Sequence, residues 1–201
     1  MANATIIGVI IVVILLAGLY YFHFSGSKQT ASSQTISYSN QKAAISFQYS
    51  QNWNETNSSG TAHGTATQII DLYPIAPNIS PSCTNTCIDF QIIAFSAANA
   101  SARQGAYVGY YSELHALLTQ NGAIILNQIN TTVSGYNTIS IVYKESPNSY
   151  DKNLVYFVNA TARIPDYYII QYSAFSLANA SVNYTTYLPQ VQQIINSIKI
   201  G

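Results

Sequence analysis

Charge is what this sequence lacks most. Of its 201 residues seven are basic and seven acidic, 7% of the chain, against about 25% in an ordinary soluble protein. The cations are Lys28, Lys42, Arg103, Lys144, Lys152, Arg163 and Lys199, strewn from one end to the other. A nucleic-acid-binding face needs clustered cations to displace counterions, so nucleic acid is excluded as a partner. Cysteine is almost as scarce, with only Cys83 and Cys87. Zinc wants four ligands, and neither His63 nor His115 stands at a ligand spacing from that pair, so no metal site is expected. Gly60 and Gly64 lack the helix and lysine of a phosphate-binding loop. No cofactor is expected.

In place of charge the chain carries Ser, Thr, Asn, Gln and 17 tyrosines. A tyrosine joins apolar area to one polar handle, which suits half-buried strands and binding faces alike. Core packing is the plainer use. Trp53, Tyr73, Tyr110 and Tyr136 are the aromatics that a binding face would draw on.

The longest uncharged apolar run is Ile6 to Phe24, IIGVIIVVILLAGLYYFHF. Nineteen helical residues at about 1.5 Å each span about 28 Å, close to the hydrocarbon thickness of a bilayer. Tyr20, Tyr21, Phe22, His23 and Phe24 crowd its end, as an aromatic belt at the headgroup boundary does. A cleaved signal peptide would want a cationic start and small residues at the cleavage site. A pilin-type leader would want a basic residue just before the run. Both are poorer fits than a signal anchor. Residues 1–5 are then a short tail, 6–24 a single membrane span, 25–34 (SGSKQTASSQ after Phe24) a flexible tether, and 35–201 one folded domain.

Charge around the span does not orient it, but two other features place the domain outside the cytoplasm. Asn-x-Ser/Thr occurs at Asn54, Asn57, Asn78, Asn99, Asn130, Asn159, Asn179 and Asn183, where chance in so Asn-, Ser- and Thr-rich a chain gives about three or four. Such sites accept N-linked glycans only on exported surfaces. Asn3 also sits in a sequon, on the other side of the span. The second feature is Cys83-Thr-Asn-Thr-Cys87, two close cysteines in a Pro/Ser/Asn-rich loop, which in an oxidising compartment most often form a disulfide. Free thiols are the alternative. The expected location is the cell membrane, single-pass, with the C-terminal domain extracytoplasmic. The sequons and low charge suit an archaeal envelope.

Alternation of apolar and polar residues predicts strands over 45–49, 67–73 (ended by Pro74), 88–96, 123–132, 138–145, 153–162 and 167–176. Asn54 to Ala66 reads as a loop. Tyr107, Tyr111, Leu114 and Leu118 recur at helical spacing, predicting a helix over 101–120 with a capping box at Ser101–Gln104 and a stop at Gly122. Leu188, Val191, Ile195 and Ile198 mark a closing helix. Strands, a helix, a run of strands and a helix argue for α+β: a central antiparallel sheet with helices packed on it.

Four stretches carry a resemblance. Ile45-Ser-Phe-Gln-Tyr-Ser-Gln-Asn-Trp53 resembles the early strand, turn and tryptophan of the PsbP/Mog1 superfamily. Tyr110-Tyr-Ser-Glu113 resembles part of its mid-chain helix, Leu126 to Tyr143 its strand, glycine turn and strand, and Tyr187 to Ile200 its closing helix and terminal strand. The resemblance covers most of residues 35–200 and rests on fold signatures, not catalytic motifs. It implies an α/β/α sandwich and a domain that binds and organises other proteins. PsbP supports the oxygen-evolving side of photosystem II and Mog1 binds a small GTPase. Neither role is expected here, because the lysine-rich docking character of the first is missing and an export anchor excludes the second.

No catalytic constellation stands out. Asp71 and Asp89 fall on neighbouring predicted strands, where they are expected to face solvent. The expectation is a non-enzymatic, membrane-anchored binding or structural protein of the cell envelope, with a protein or glycan partner. Alternatives are a small-molecule or carbohydrate receptor using Trp53 and tyrosines as stacking surfaces, an envelope hydrolase built on Asp71, Asp89 or His63, and a pilin-like filament subunit.

Overall fold

The computed structural model describes residues 34–56, 61–63, 66–77, 79, 86–95, 99–120, 122–147, 149–160, 165–177 and 180–201. The expected membrane span, 6–24, lies outside them. Among the described residues no helix is long and apolar enough to cross a membrane.

Among the described residues eleven strands and two helices follow one another: β1 Thr35–Asn40, β2 Ile45–Ser50, β3 Trp53–Thr56, β4 Thr61–His63, β5 Ala66–Pro74, β6 Thr86–Phe95, α1 Ala100–Gln120, β7 Ile124–Val133, β8 Tyr136–Lys144, β9 Asp151–Asn159, β10 Tyr167–Ser176, α2 Ala180–Ser197 and β11 Lys199–Ile200. The α+β class holds, but the single sheet expected is two. One has eight strands in the order β3-β5-β6-β10-β9-β8-β7 with β4 also on β5; the other has three, β1-β2-β11. All pairings are antiparallel.

The stretch 54–66 is not one loop, since β3 and β4 pair with β5 there. At four and three residues they are too short to show an alternating pattern, and pairing with a long neighbour supplies the order that the local sequence does not announce. β1 escapes periodicity for a similar reason. As an edge strand it leaves Ile36 exposed.

Successive residues of a strand face opposite sides, so each face of the large sheet has its own core. Ile70, Leu72, Ile88, Phe90, Ile92, Ala94, Tyr168, Ile170 and Tyr172 pack against the small sheet (Ile45, Phe47, Tyr49) and against Val191, Ile194, Ile195 and Ile198 of α2. Ile93, Phe95, Ile141, Val155, Phe157 and Ile169 take the other face, under Leu114 and Leu118 of α1. Tyr107 stacks on Tyr167 at 4.5 Å between ring centroids and meets Phe157 edge-on. Buried tyrosines fasten layers with their hydroxyls: Tyr168 donates to the Ala43 carbonyl (2.8 Å) and Tyr172 to the Tyr184 carbonyl (2.9 Å). Burial holds the Tyr172 and Tyr184 hydroxyls well above their ordinary range.

Local chemistry sets the element ends. The expected capping box at Ser101 gives way to Asn99, whose Oδ1 accepts the Ser101 amide at 2.8 Å. Asparagine is as good an N-cap as serine, and placed two residues earlier it adds about half a turn. Gly122 follows α1 at φ +71°, the left-handed stop that glycine adopts without strain. Ser134 (φ +53°) and Gly135 (φ +82°) form the two-residue β7–β8 turn, whose left-handed backbone matches the strand twist. Arg103 in the first turns of α1 forms a buried ion pair with Asp166, Nε to Oδ1 2.7 Å. That bond raises the guanidinium further.

Candidate functional site

The four aromatics expected to gather on a binding face are dispersed. Trp53 is buried in the core, 2% exposed. Its indole N–H donates to Gln190 Oε1 at 2.7 Å and its ring meets Tyr187 edge-on. This corrects the reading of Trp53 as a stacking platform: the residue opens β3 on the inward face, so its ring fills the gap beside α2. Tyr73 is half-buried at the far end of β5, opposite Asn54. Tyr110 lies against the α1-side core, its hydroxyl donating to Gln171 Oε1 at 3.3 Å, and burial raises it. Tyr136 packs against the other core. Trp53 and Tyr136 thus belong to one core and Tyr110 to the other.

Asp71 and Asp89, expected to face solvent, are drawn together instead. Register places Asp71 opposite Gln91 and Asp89 opposite Ser173, so the two aspartates are diagonal neighbours on the α1 side of the sheet. The reason is that α1 covers only part of this face, and a polar network fills the rest. Thr56 Oγ1 donates to Asp71 Oδ2 (2.7 Å), Gln91 Nε2 to Asp89 Oδ2 (3.3 Å) and Gln171 Nε2 to Ser173 Oγ (3.2 Å). Burial, a hydrogen bond to the Asp71 carboxyl and the charge of Asp71 push Asp89 up to about 9. Asp89 therefore holds its proton to higher pH than a free carboxyl does. The side chain of His63 lies outside the described residues, so its approach to this pair does too. A second acidic spot lies where Asp151 Oδ2 accepts from the Glu145 amide and from Asn153. Burial, with Asp151 nearby, raises Glu145. Among the described residues no three His, Cys, Asp or Glu side chains are placed to hold a metal.

Of the sequon asparagines, Asn54, Asn99 and Asn130 are exposed, and Asn159 and Asn183 are half-buried. Asn159 keeps its Oδ1 buried without a hydrogen-bond partner. Asn57, Asn78 and Asn179 lie outside the described residues, as does Cys83. Cys87, second residue of β6, is not a free thiol.

The feature that sequence reasoning missed is an edge. β7 ends the large sheet, pairing with β8 on one side and with nothing described on the other. Its ten residues, IILNQINTTV, carry no charge, and the first seven are all exposed. Ile124, Ile125, Leu126 and Ile129 are 38–50% exposed. Natural edges are blunted by charge, proline or brevity, because a row of unpaired amides and carbonyls invites another strand. The opposite edge of the same sheet obeys that rule: β3 has four residues including exposed Glu55, and β4 has three. Among the described residues β7 has a single bulge, between Ile125 and Asn127, and nothing else that blunts it.

Helices on both faces of an antiparallel sheet, with a small second sheet closing one face, define a PsbP-like α+β domain. The chain belongs to the PsbP-like protein family, whose model matches residues 5–200. The solution structure of the cyanobacterial PsbP (CyanoP) of Synechocystis sp. PCC 6803 shares the fold, with a TM-score of 0.51 and 13% identity over 88% of this chain and 98% of that one. LpqN, involved in cell envelope biogenesis of Mycobacterium tuberculosis, is similar at a TM-score of 0.48 and 12% identity, over 85% and 86% of the two chains. The Saccharomyces cerevisiae Ran-binding protein Mog1p follows at 0.47 and 9%, over 84% and 96%. No curated protein sequence matches.

Proposed function

We propose that this is a membrane-anchored, extracytoplasmic, non-enzymatic binding domain of the cell envelope, and that a protein partner docks by adding a strand to β7. One observation carries the reading: a ten-residue, charge-free edge strand with four exposed aliphatic side chains. Strand addition takes its affinity from main-chain hydrogen bonds and its selectivity from alternate side chains, which suits a protein with almost no charge to place at an interface. The anchor is the apolar run 6–24, which lies within the span that the family model matches. The exported location accounts for the excess of sequons and for a Cys83–Cys87 disulfide.

The test is a photo-crosslinking residue at position 129 of the full chain in its own membranes. A defined adduct through β7, together with glycan mass on the protein, is the expected result. Recovery of the intact chain from the soluble cytosolic fraction with bare asparagines, or no adduct from β7, contradicts the reading.

A further inference from the structure

We infer that the strand added to β7 is the β7 of a second copy of this chain, joining two eight-stranded sheets across a two-fold axis. This presupposes the binding reading of the same edge and names its partner. Identical strands are ordinarily kept apart because like charges meet like charges. Residues 124–133 contain none. The whole chain has a formal net charge of zero, so copies lack the long-range repulsion that keeps many proteins monomeric. A charge-free edge also offers a foreign protein no electrostatic address, whereas a two-fold axis matches the edge to itself without one.

The register follows from the pattern. Antiparallel pairing about Ile129 sets Ile129 against its counterpart, Gln128 against the partner's Asn130, and Asn127 against the partner's Thr131. Opposed residues of an antiparallel pair share a face, so the central contact is aliphatic and its neighbours are amides able to hydrogen-bond one another. Because the far edge is split between two short strands with Glu55 exposed, each copy presents one long open edge in its large sheet. Within the large sheet, two copies therefore close on each other as a dimer about the two-fold axis. Asn130 is exposed within this edge, so a glycan there and the pairing exclude each other. The paired form carries a bare Asn130.

Light scattering on the full chain in detergent or nanodiscs, with the lipid or detergent mass subtracted, reads the outcome. Wild type is expected at twice the chain mass. Ile129→Lys, which sets two ammonium groups face to face on the axis, is expected at half that mass with an unchanged unfolding midpoint. Should that variant fold poorly, Ile129→Cys serves in its place. On oxidation it is expected to cross-link copy to copy, while Ile124→Cys, off the axis, does not. A monomeric wild type, a dimer that survives Ile129→Lys, larger polymers, or a fully occupied Asn130 overturns the inference. A monomer whose β7 still cross-links to a different protein sinks only the second copy; a β7 that cross-links to nothing sinks the binding reading as well.

Discussion

The two faces of the large sheet are closed in different ways. The face under α2 and the small sheet is apolar from β5 to β9, with Leu72, Phe90, Ile92, Tyr168 and Ile170 all at or below 1% exposure. The face under α1 is apolar only where the helix lies. Beside it Asp71, Asp89, Gln91, Gln171 and Ser173 occupy positions that would otherwise hold aliphatic side chains, with Tyr110 of α1 reaching Gln171 at the border. One face is held by packing and the other partly by hydrogen bonds that depend on protonation.

Neighbouring residues of β6 separate these contributions most sharply. Phe90→Ala is expected to destabilise the domain by about 3–5 kcal/mol through lost transfer energy and a cavity. Gln91→Ala, one residue on and facing the opposite side, removes a hydrogen bond worth about 1 kcal/mol. Denaturant unfolding of the two variants measures the gap, and equal losses would erase the distinction between the faces.

The α1 face makes a pH prediction. Burial and the neighbouring Asp71 push Asp89 up from its ordinary 3.8 to about 9 in the fold. Between those values the folded state binds more protons than the unfolded one, so stability falls as pH rises. The contribution is fully present below about pH 4 and lost as pH passes through about 9. Unfolding midpoints of wild type are expected to decline across that window, and Asp89→Asn, which keeps a donor but cannot ionise, is expected to flatten the decline. An unchanged slope in the variant removes Asp89 as its cause.

The smallest expected effect sits at the start of α1. Asn99→Ala removes the cap and should cost about 1 kcal/mol, read by the same unfolding experiment. Asn99→Ser, which retains a capping oxygen, should restore most of it.

How far the sequence was legible follows the same division. Alternation in 88–96, 138–145 and 167–176 and the helical spacing from Tyr107 to Leu118 place most elements, because each reports a face that must be buried. The two strands predicted over 153–162 and 167–176 are neighbours in the sheet, β9 pairing antiparallel with β10. Periodicity says nothing about which strands end a sheet. The open edge at β7 and the short strands β3 and β4 are therefore invisible until long-range pairing is known. Polar residues on an inward-facing row look the same as polar residues facing solvent, which is why the Asp71–Asp89 contact is missed. Arg103 and Asp166 are 63 residues apart, and no local signal couples them. Trp53 is the converse case: a lone tryptophan beside a turn reads as a platform, and the fold uses it as filler with a tied indole.

Amide hydrogen exchange along β7, on the full chain in its own membranes and on the same protein dispersed at high dilution, tests the central claim most directly. The account predicts that the outward-facing amides of Ile124–Val133 are as slow as those of β8 in membranes and become fast on dispersal. Outward amides that exchange fast in both states, like those of an unpaired edge, would contradict it.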